Sequence, residues 1–221
     1  MKRIVSGVLL VLLLAGTFTL TFFIQEIKAI GTIYIRADGS IDPPTAPIQR
    51  VDDIYTLTGN ITSSADGIVI ERNNMTLDGA GYTLQGSGSY KGIYMSGRSN
   101  VTIKDMKIKL FQWGIYLTSS SSNSISGNNI TNNRDGIHIY LSSNYNSISE
   151  NNITTNNGFG IDFNSSSNNT IFGNKVVSNS NNGIYFYSSS SNSVSENHIA
   201  SNWNGIVLSR SSNNSIYGNE I

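Results

Sequence analysis

The sequence contains no cysteine, which excludes both disulfide stapling and thiolate metal sites. Histidine is nearly as scarce: His138 and His198 are the only two, and they form no imidazole cluster. Charge is sparse and balanced, with 13% of residues charged and 14 basic side chains against 14 acidic ones. Nothing in that balance favours nucleic acid or an acidic membrane surface as a partner. No Gly-Gly-x-Gly-x-Asp calcium repeat occurs either. Composition therefore implies no metal and no cofactor.

What the chain has instead is a period. Gly-Ile-x-aliphatic/aromatic recurs at Gly67, Gly92, Gly114, Gly136, Gly160, Gly183 and Gly205, at intervals of 25, 22, 22, 24, 23 and 22 residues. Fixed self-similarity in this range signals a solenoid. A second short apolar segment follows each copy, centred on Leu77, Ile103, Ile125, Ile148, Ile171, Val194 and Ile216. A third is centred on Leu84, Ile108, Ile130, Ile153, Val176, Ile199 and Ile221. These segments are too short for helices, and the Ser, Asn and Gly between them favour turns. In the long repeat from Gly136 to Gly160, one extra residue within 141–145 and another within 154–159 keep all three segments in register.

Three strands of a few residues each have no stability alone. Stacked on copies of itself, each strand gains parallel neighbours about 4.8 Å above and below. The pattern thus predicts an all-β parallel β-helix of about seven three-stranded rungs. Period-two alternation points the two aliphatics of Gly-Ile-x-Ile inward and x outward.

Before the repeats, Ile4 to Ile24 form an uncharged apolar stretch directly after Lys2 and Arg3. It is long enough to span a bilayer as a hydrophobic helix, and its positive flank places the amino terminus inside and the repeats outside. Residues 1–29 therefore read as a signal peptide or a membrane anchor, with Ala29 a weak cleavage position. Residues 30–65 lose the repeat; Thr32–Arg36 and Ile54–Thr58 read as strands on either side of the Asp42-Pro43-Pro44 break, an N-terminal cap for the first open rung. Residues 66–221 carry the repeats and stop within one, so the expectation is that the natural protein continues or that the chain is a fragment.

The run Asp78-Gly79-Ala80-Gly81-Tyr82-Thr83-Leu84-Gln85-Gly86, followed by Gly-Ile-x-Leu and Asn-Ser-Ile-Ser-x-Asn-x-Ile units, resembles the NosD-like group of right-handed parallel β-helix proteins, of the pectin-lyase-like, carbohydrate-binding and sugar-hydrolase class. The Ser/Asn-rich style and the opening Tyr34-Ile35-Arg36-Ala37-Asp38-Gly39-Ser40 resemble archaeal surface proteins. The likeness covers about residues 66–221. It implies the right-handed connection, which parallel crossovers favour in general, and leaves function open among lyases, hydrolases, epimerases and non-catalytic scaffolds. The NosD name also implies copper handling, but soft copper sites need clustered Met, Cys or His, and Met75, Met95, Met106 and the two histidines do not cluster in sequence.

Asparagine repeats in three columns: Asn123, Asn146, Asn169, Asn192 and Asn214; Asn128, Asn151, Asn174, Asn197 and Asn219; and Asn133, Asn156, Asn179 and Asn202. Asn tolerates left-handed turns, and its amide can satisfy turn backbone groups or the Asn of the next rung, so these columns read as part of the fold. The outward positions of the Gly-Ile sheet are freer. There Tyr94, Tyr116, His138, Asp162 and Tyr185 form one column, and Tyr140 and Tyr187 belong to a second. Aromatic rings with hydrogen-bonding tips suit an extended polysaccharide or cell-surface glycan. Tyrosine is also a good strand former whose cross-strand pairs stabilise a sheet, and both readings stand.

His138 and Asp162 fall on successive rungs of the first column, with Asp135 nearby. Asp135, His138 and Asp162 are the weak candidates for acid/base cleavage of a glycan, which needs paired groups at a defined separation. In the middle rungs neither a second carboxylate in those columns nor a Lys/Arg cluster accompanies them, and a cross-strand pair is the alternative. Glu150 and Glu196 share one register position two rungs apart, roughly 10 Å by strand spacing, near the upper end for inverting glycosidases. The leaning is toward a non-catalytic glycan-binding scaffold outside the cell. A carbohydrate-active enzyme with its site partly in missing rungs and a structural surface rod are the alternatives. Eight Asn-x-Ser/Thr sequons permit glycosylation of an exported chain.

Overall fold

A computed structural model describes residues 31–221. The apolar stretch Ile4 to Ile24, with its expected hydrophobic helix, lies outside the described residues. Among the described residues there is no helix, and none long and apolar enough to cross a membrane. The chain coils into a parallel β-helix with three sheets along its axis.

The Gly-Ile sheet stacks Ile33–Ile35, Ile68–Ile70, Lys91–Ser96, Trp113–Thr118, Asp135–Tyr140, Ile161–Asn164, Ile184–Tyr187 and Ile206–Ser209 in parallel. The second sheet runs from Ile54–Leu57 through Met75–Asp78 and Val101–Lys104 to Ser215–Tyr217, and the third from Ile61–Thr62 through Thr83–Gln85 to His198–Ala200. Register is unbroken: Ile93 faces Ile115, Ile115 faces Ile137 and Ile137 faces Ile161. The second and third repeat columns read from the sequence are therefore the strand centres of the fold, except Ile221, which lies outside any strand beside an isolated His198–Glu220 bridge.

The core is a set of apolar ladders. Ile68, Ile93, Ile115, Ile137, Ile161 and Ile184 are fully buried, as are Leu77, Ile103, Ile125, Ile148, Ile171 and Val194 opposite them. Phe163 and Phe186 extend one ladder with stacked rings 4.8 Å apart. Toward the last rung the same columns open to solvent, and Ile221 is 72% exposed.

Residues 31–65 form a further rung whose three strands pair in parallel with those of the first Gly-Ile repeat. Two short strands fold back on it in antiparallel fashion, Ile41–Asp42 on the Gly-Ile sheet and Ile48–Val51 on the second sheet. They cover edges that would otherwise present unpaired backbone groups.

The repeated glycines are required by space. None of the seven has a positive φ. A Cβ on Gly114 would stand 2.6 Å from the Gly136 carbonyl oxygen and 2.7 Å from Ile130 Cγ2. Gly and the following Ile both face the core, as the consecutive buried positions in Trp113–Thr118 show. Strict alternation is broken there, and of the residues before the glycines Lys91, Trp113 and Phe159 are partly exposed while Asp135 and Asn182 stay buried.

The asparagine columns are buried hydrogen-bond ladders. Asn128 donates its backbone N–H and its side-chain amide to Asn151 Oδ1, each at 3.0 Å, and Asn151 repeats this onto Asn174. A serine ladder runs beside them, in which the backbone N–H of Ser120, Ser143, Ser166 and Ser189 donates to the hydroxyl of Ser143, Ser166, Ser189 and Ser211. The left-handed residue is the one before each ladder Asn. Gly127, Glu150, Gly173, Glu196 and Gly218 all have φ between 56° and 65°. Alternation of Gly with Glu in that column is thus alternation at a strained turn.

Candidate functional site

On the outer face of the Gly-Ile sheet the register aligns Tyr94, Tyr116, His138, Asp162 and Tyr185. Thr118, Tyr140, Asn164 and Tyr187 align beside them. Parallel strands space these side chains by about 4.8 Å, within the range at which rings attract one another. They pack accordingly. Tyr94 lies 5.7 Å from Tyr116, Tyr116 stacks on His138 at 5.1 Å with planes 7° apart, and His138 lies 5.7 Å from Tyr140. The tyrosines are half-buried against each other, so the strip differs from a flat row of open ring faces. Where rings stack between rungs, their faces meet each other and their edges and hydroxyls meet solvent. Burial pushes the Tyr116 phenol above its ordinary pKa.

Three members of the face escape a period-two reading: Lys91, Trp113 and Phe159 each precede a repeat glycine and turn outward because of the break there. Trp113 sits 5.2 Å from Tyr116 and 6.1 Å from His138, tilted to both. Phe159 stacks on Tyr185 at 5.2 Å. Lys91 Nζ lies 5.0 Å from the Tyr94 ring centre and 3.8 Å from Asp66. The invariant glycine is the signal that could have found them. Tyr187 lies at the far end, its hydroxyl accepting a 2.8 Å bond from Arg210.

The acid/base candidates are brought together. His138 Nδ1 is 2.8 Å from Asp162 Oδ2. The approach is close but out of line for a ring N–H to donate, and both His138 Nδ1 and Asp162 Oδ1 are buried without an aligned partner. Asp162 is 8% exposed and Asp135 6%, so neither carboxylate stands on an open surface. Asp135 Oδ1 accepts the Phe159 N–H at 2.9 Å. Burial raises the Asp135 carboxyl above the usual carboxylate range, partly offset by that bond and by Arg134. Asp135 thus acts as a fastener between two rungs. Glu150 and Glu196 lie on the exposed left-handed turn between the second and third sheets, away from this face.

Residues 53–221 match the family model described as periplasmic copper-binding protein (NosD). No curated protein matches the chain. Among solved structures, a double mutant of the periplasmic alginate epimerase AlgG superposes with a TM-score of 0.63 at 19% identity, over 73% of this chain and 51% of that one. DFA-IIIase from Arthrobacter chlorophenolicus A6, without its lid, gives 0.56 at 18% identity over 73% and 43%. The enzymatically active domain of bacteriophage CBA120 tailspike protein 2 gives 0.50 at 15% identity over 74% and 34%. The chain spans about half the length of the alginate epimerase, and at these identities the likeness is one of fold.

The family description raises copper, and the donors present do not fit it. Met75, Met95 and Met106 are buried in the apolar core. His138 belongs to the Gly-Ile sheet, whereas His198 belongs to the third sheet, 2.7 Å from Glu220. Among the described residues no three His, Cys, Asp or Glu side chains converge on a common point. Soft copper sites need clustered sulfur or imidazole donors, which these positions do not supply.

Proposed function

Because the chain belongs to the NosD family of parallel β-helix proteins, we propose that it is a glycan-binding scaffold displayed outside the cytoplasm, and that the aromatic face of its Gly-Ile sheet binds an extended polysaccharide without cleaving it. The observation that carries this reading is the continuous strip from Tyr94 through Trp113, Tyr116, His138 and Tyr140, resumed by Phe159 and Tyr185. Ring edges, phenolic hydroxyls and the tilted Trp113 together offer apolar contact and hydrogen bonds along several rungs, the combination that sugar rings require. Each rung advances by about 4.8 Å, comparable to one sugar residue of an extended chain, so a polymer along the axis meets a new rung with each residue.

Binding without cleavage fits the carboxylates. Asp135 holds Phe159 in place and Asp162 is buried within the strip against His138, so neither is presented to a glycosidic bond. Delivery outside the cytoplasm is supported by the apolar stretch Ile4 to Ile24, by the periplasmic family description and by a fold shared with carbohydrate-processing proteins.

A second reading, a structural surface rod, is favoured by the stacking of Tyr116 on His138, which spends ring faces on the sheet itself. A glycan array separates the two, using the purified chain beside a Tyr116→Ala/Tyr185→Ala variant whose β-rich circular dichroism is intact. Binding that the variant loses supports the scaffold reading. Absence of binding by the folded parent overturns it in favour of the rod.

A further inference from the structure

At its amino-terminal end the aromatic strip opens into a groove of about 360 Å³, walled by Val69, Glu71, Tyr94, Ser96 and Arg98. That volume lies at the lower end of the range of small-molecule sites. Val69 and Tyr94 are register partners in the first outward column, and Glu71 and Ser96 directly follow the next partners, Ile70 and Met95. The groove is therefore continuous with the strip.

Its polar groups are fixed in place. Arg36 Nη1 holds the Glu71 carboxylate at 3.3 and 3.4 Å, while the Glu71 side chain stays 40% exposed. Arg98 is clamped to the backbone by Nε to the Ser96 carbonyl at 2.9 Å and Nη1 to the Glu71 carbonyl at 2.7 Å. An acceptor carboxylate, a donor guanidinium and a hydroxyl thus converge beside an aromatic ring. Adjacent hydroxyls of a pyranose match this set, since one accepts from a guanidinium while its neighbour donates to a carboxylate. Arg36 also pairs with Asp42, so two guanidinium groups, Arg36 and Arg98, stand against two carboxylates, Glu71 and Asp42, and the groove carries no net positive charge that would select a uronate.

Building on the reading that the strip binds glycan, we propose that this groove is a subsite for one neutral pyranose at the end of the bound chain, with Glu71 and Arg98 on neighbouring hydroxyls and Tyr94 against the ring. The subsite gives the strip a closed end and makes affinity depend on oligomer length.

The test is calorimetric titration of the purified chain with β-1,4-linked glucose and mannose oligomers of increasing length, and with alginate oligomers matched to them. Glu71→Gln and Arg98→Lys are each expected to weaken binding of the neutral oligomers roughly tenfold or more, the weight of a hydrogen bond to a charged group. Ser96→Phe fills the groove without removing a side-chain bond that holds the fold, and is expected to abolish the gain from the last sugar added. Full affinity in all three variants, with Tyr116→Ala still abolishing binding, overturns the groove and leaves the strip standing. A preference for alginate oligomers also overturns the groove. No binding of any oligomer by the parent overturns the strip reading and the groove with it.

Discussion

Replacing Asn151 by alanine tests the physics that holds the rungs together. Asn151 is 1% exposed, and its side chain makes five hydrogen bonds. Its Oδ1 accepts from the backbone and side chain of Asn128, both at 3.0 Å, and its Nδ2 donates to Ile125 O, Ser149 O and Asn174 Oδ1 at 2.9, 2.9 and 3.0 Å. Alanine keeps the backbone but takes the partner from the buried Asn128 N–H and one bond from the Ile125 carbonyl. Each buried group left unpaired costs about 1–3 kcal/mol, so the substitution is expected to cost about 3 kcal/mol. For a chain of this size that is about 6–12 °C in melting temperature. Asn219→Ala provides the internal comparison. It occupies the outer end of the same ladder, bonded to Asn197 and to the Val194 carbonyl but half-open to water. Water can replace those bonds, so its cost should stay below about 1 kcal/mol. Thermal melts of the two variants beside the parent decide the matter. Equal losses, or a loss at Asn151 below about 2 °C, would refute the ladder as a source of stability.

Gly114→Ala pushes a methyl group into the Gly136 carbonyl and Ile130, so it should destabilise by roughly 1–3 kcal/mol or more as overpacking does, measured by urea denaturation. Glu196→Gly relieves a left-handed residue at φ 56° and should be neutral or stabilising by up to about 1 kcal/mol, whereas Gly173→Glu beside it should not stabilise. Asp135→Asn keeps an acceptor for the Phe159 N–H and removes a carboxyl whose pKa burial raises. A raised folded pKa means that the contribution of Asp135 is full below its unfolded value near 3.9 and lost as pH rises through the folded value. The variant should therefore gain on the parent between pH 4 and pH 7 in paired melts, and a variant less stable at pH 7 contradicts the assignment.

Much of the fold was legible because solenoid rungs repeat one decision. Ile103, Ile125 and Ile148 sit at strand centres because each rung buries only a few side chains, and any change of column would empty the core. The extra residues of the long repeat fall where the turns allow them. Leu141 and Ser142 both take positive φ, and Gly158 lies against Asp135. The candidate face was legible only in outline. Tyr116 and Tyr185 followed from alternation, but Trp113, Lys91 and Phe159 did not, because the glycine that breaks alternation acts through backbone crowding that a periodicity cannot express. The burial of Asp162 was equally hidden, since it depends on the packing of its neighbours across the strip. The left-handed residues are those before the ladder asparagines and not the asparagines themselves. Side-chain amides and left-handed turns both suit Asn, and only the register of the hydrogen bonds distinguishes the two roles.

A glycan on the aromatic face would be reported directly by Trp113. The chain has two tryptophans, and Trp203 is 81% exposed near the last rung. In a Trp203→Phe variant, excited beyond tyrosine absorption, the tryptophan fluorescence therefore comes from the middle of the strip alone. Titrating that variant with neutral polysaccharides should give a saturable change in Trp113 emission that Tyr116→Ala abolishes. An emission spectrum unmoved by a polysaccharide that the same protein demonstrably binds would place the glycan away from the aromatic face.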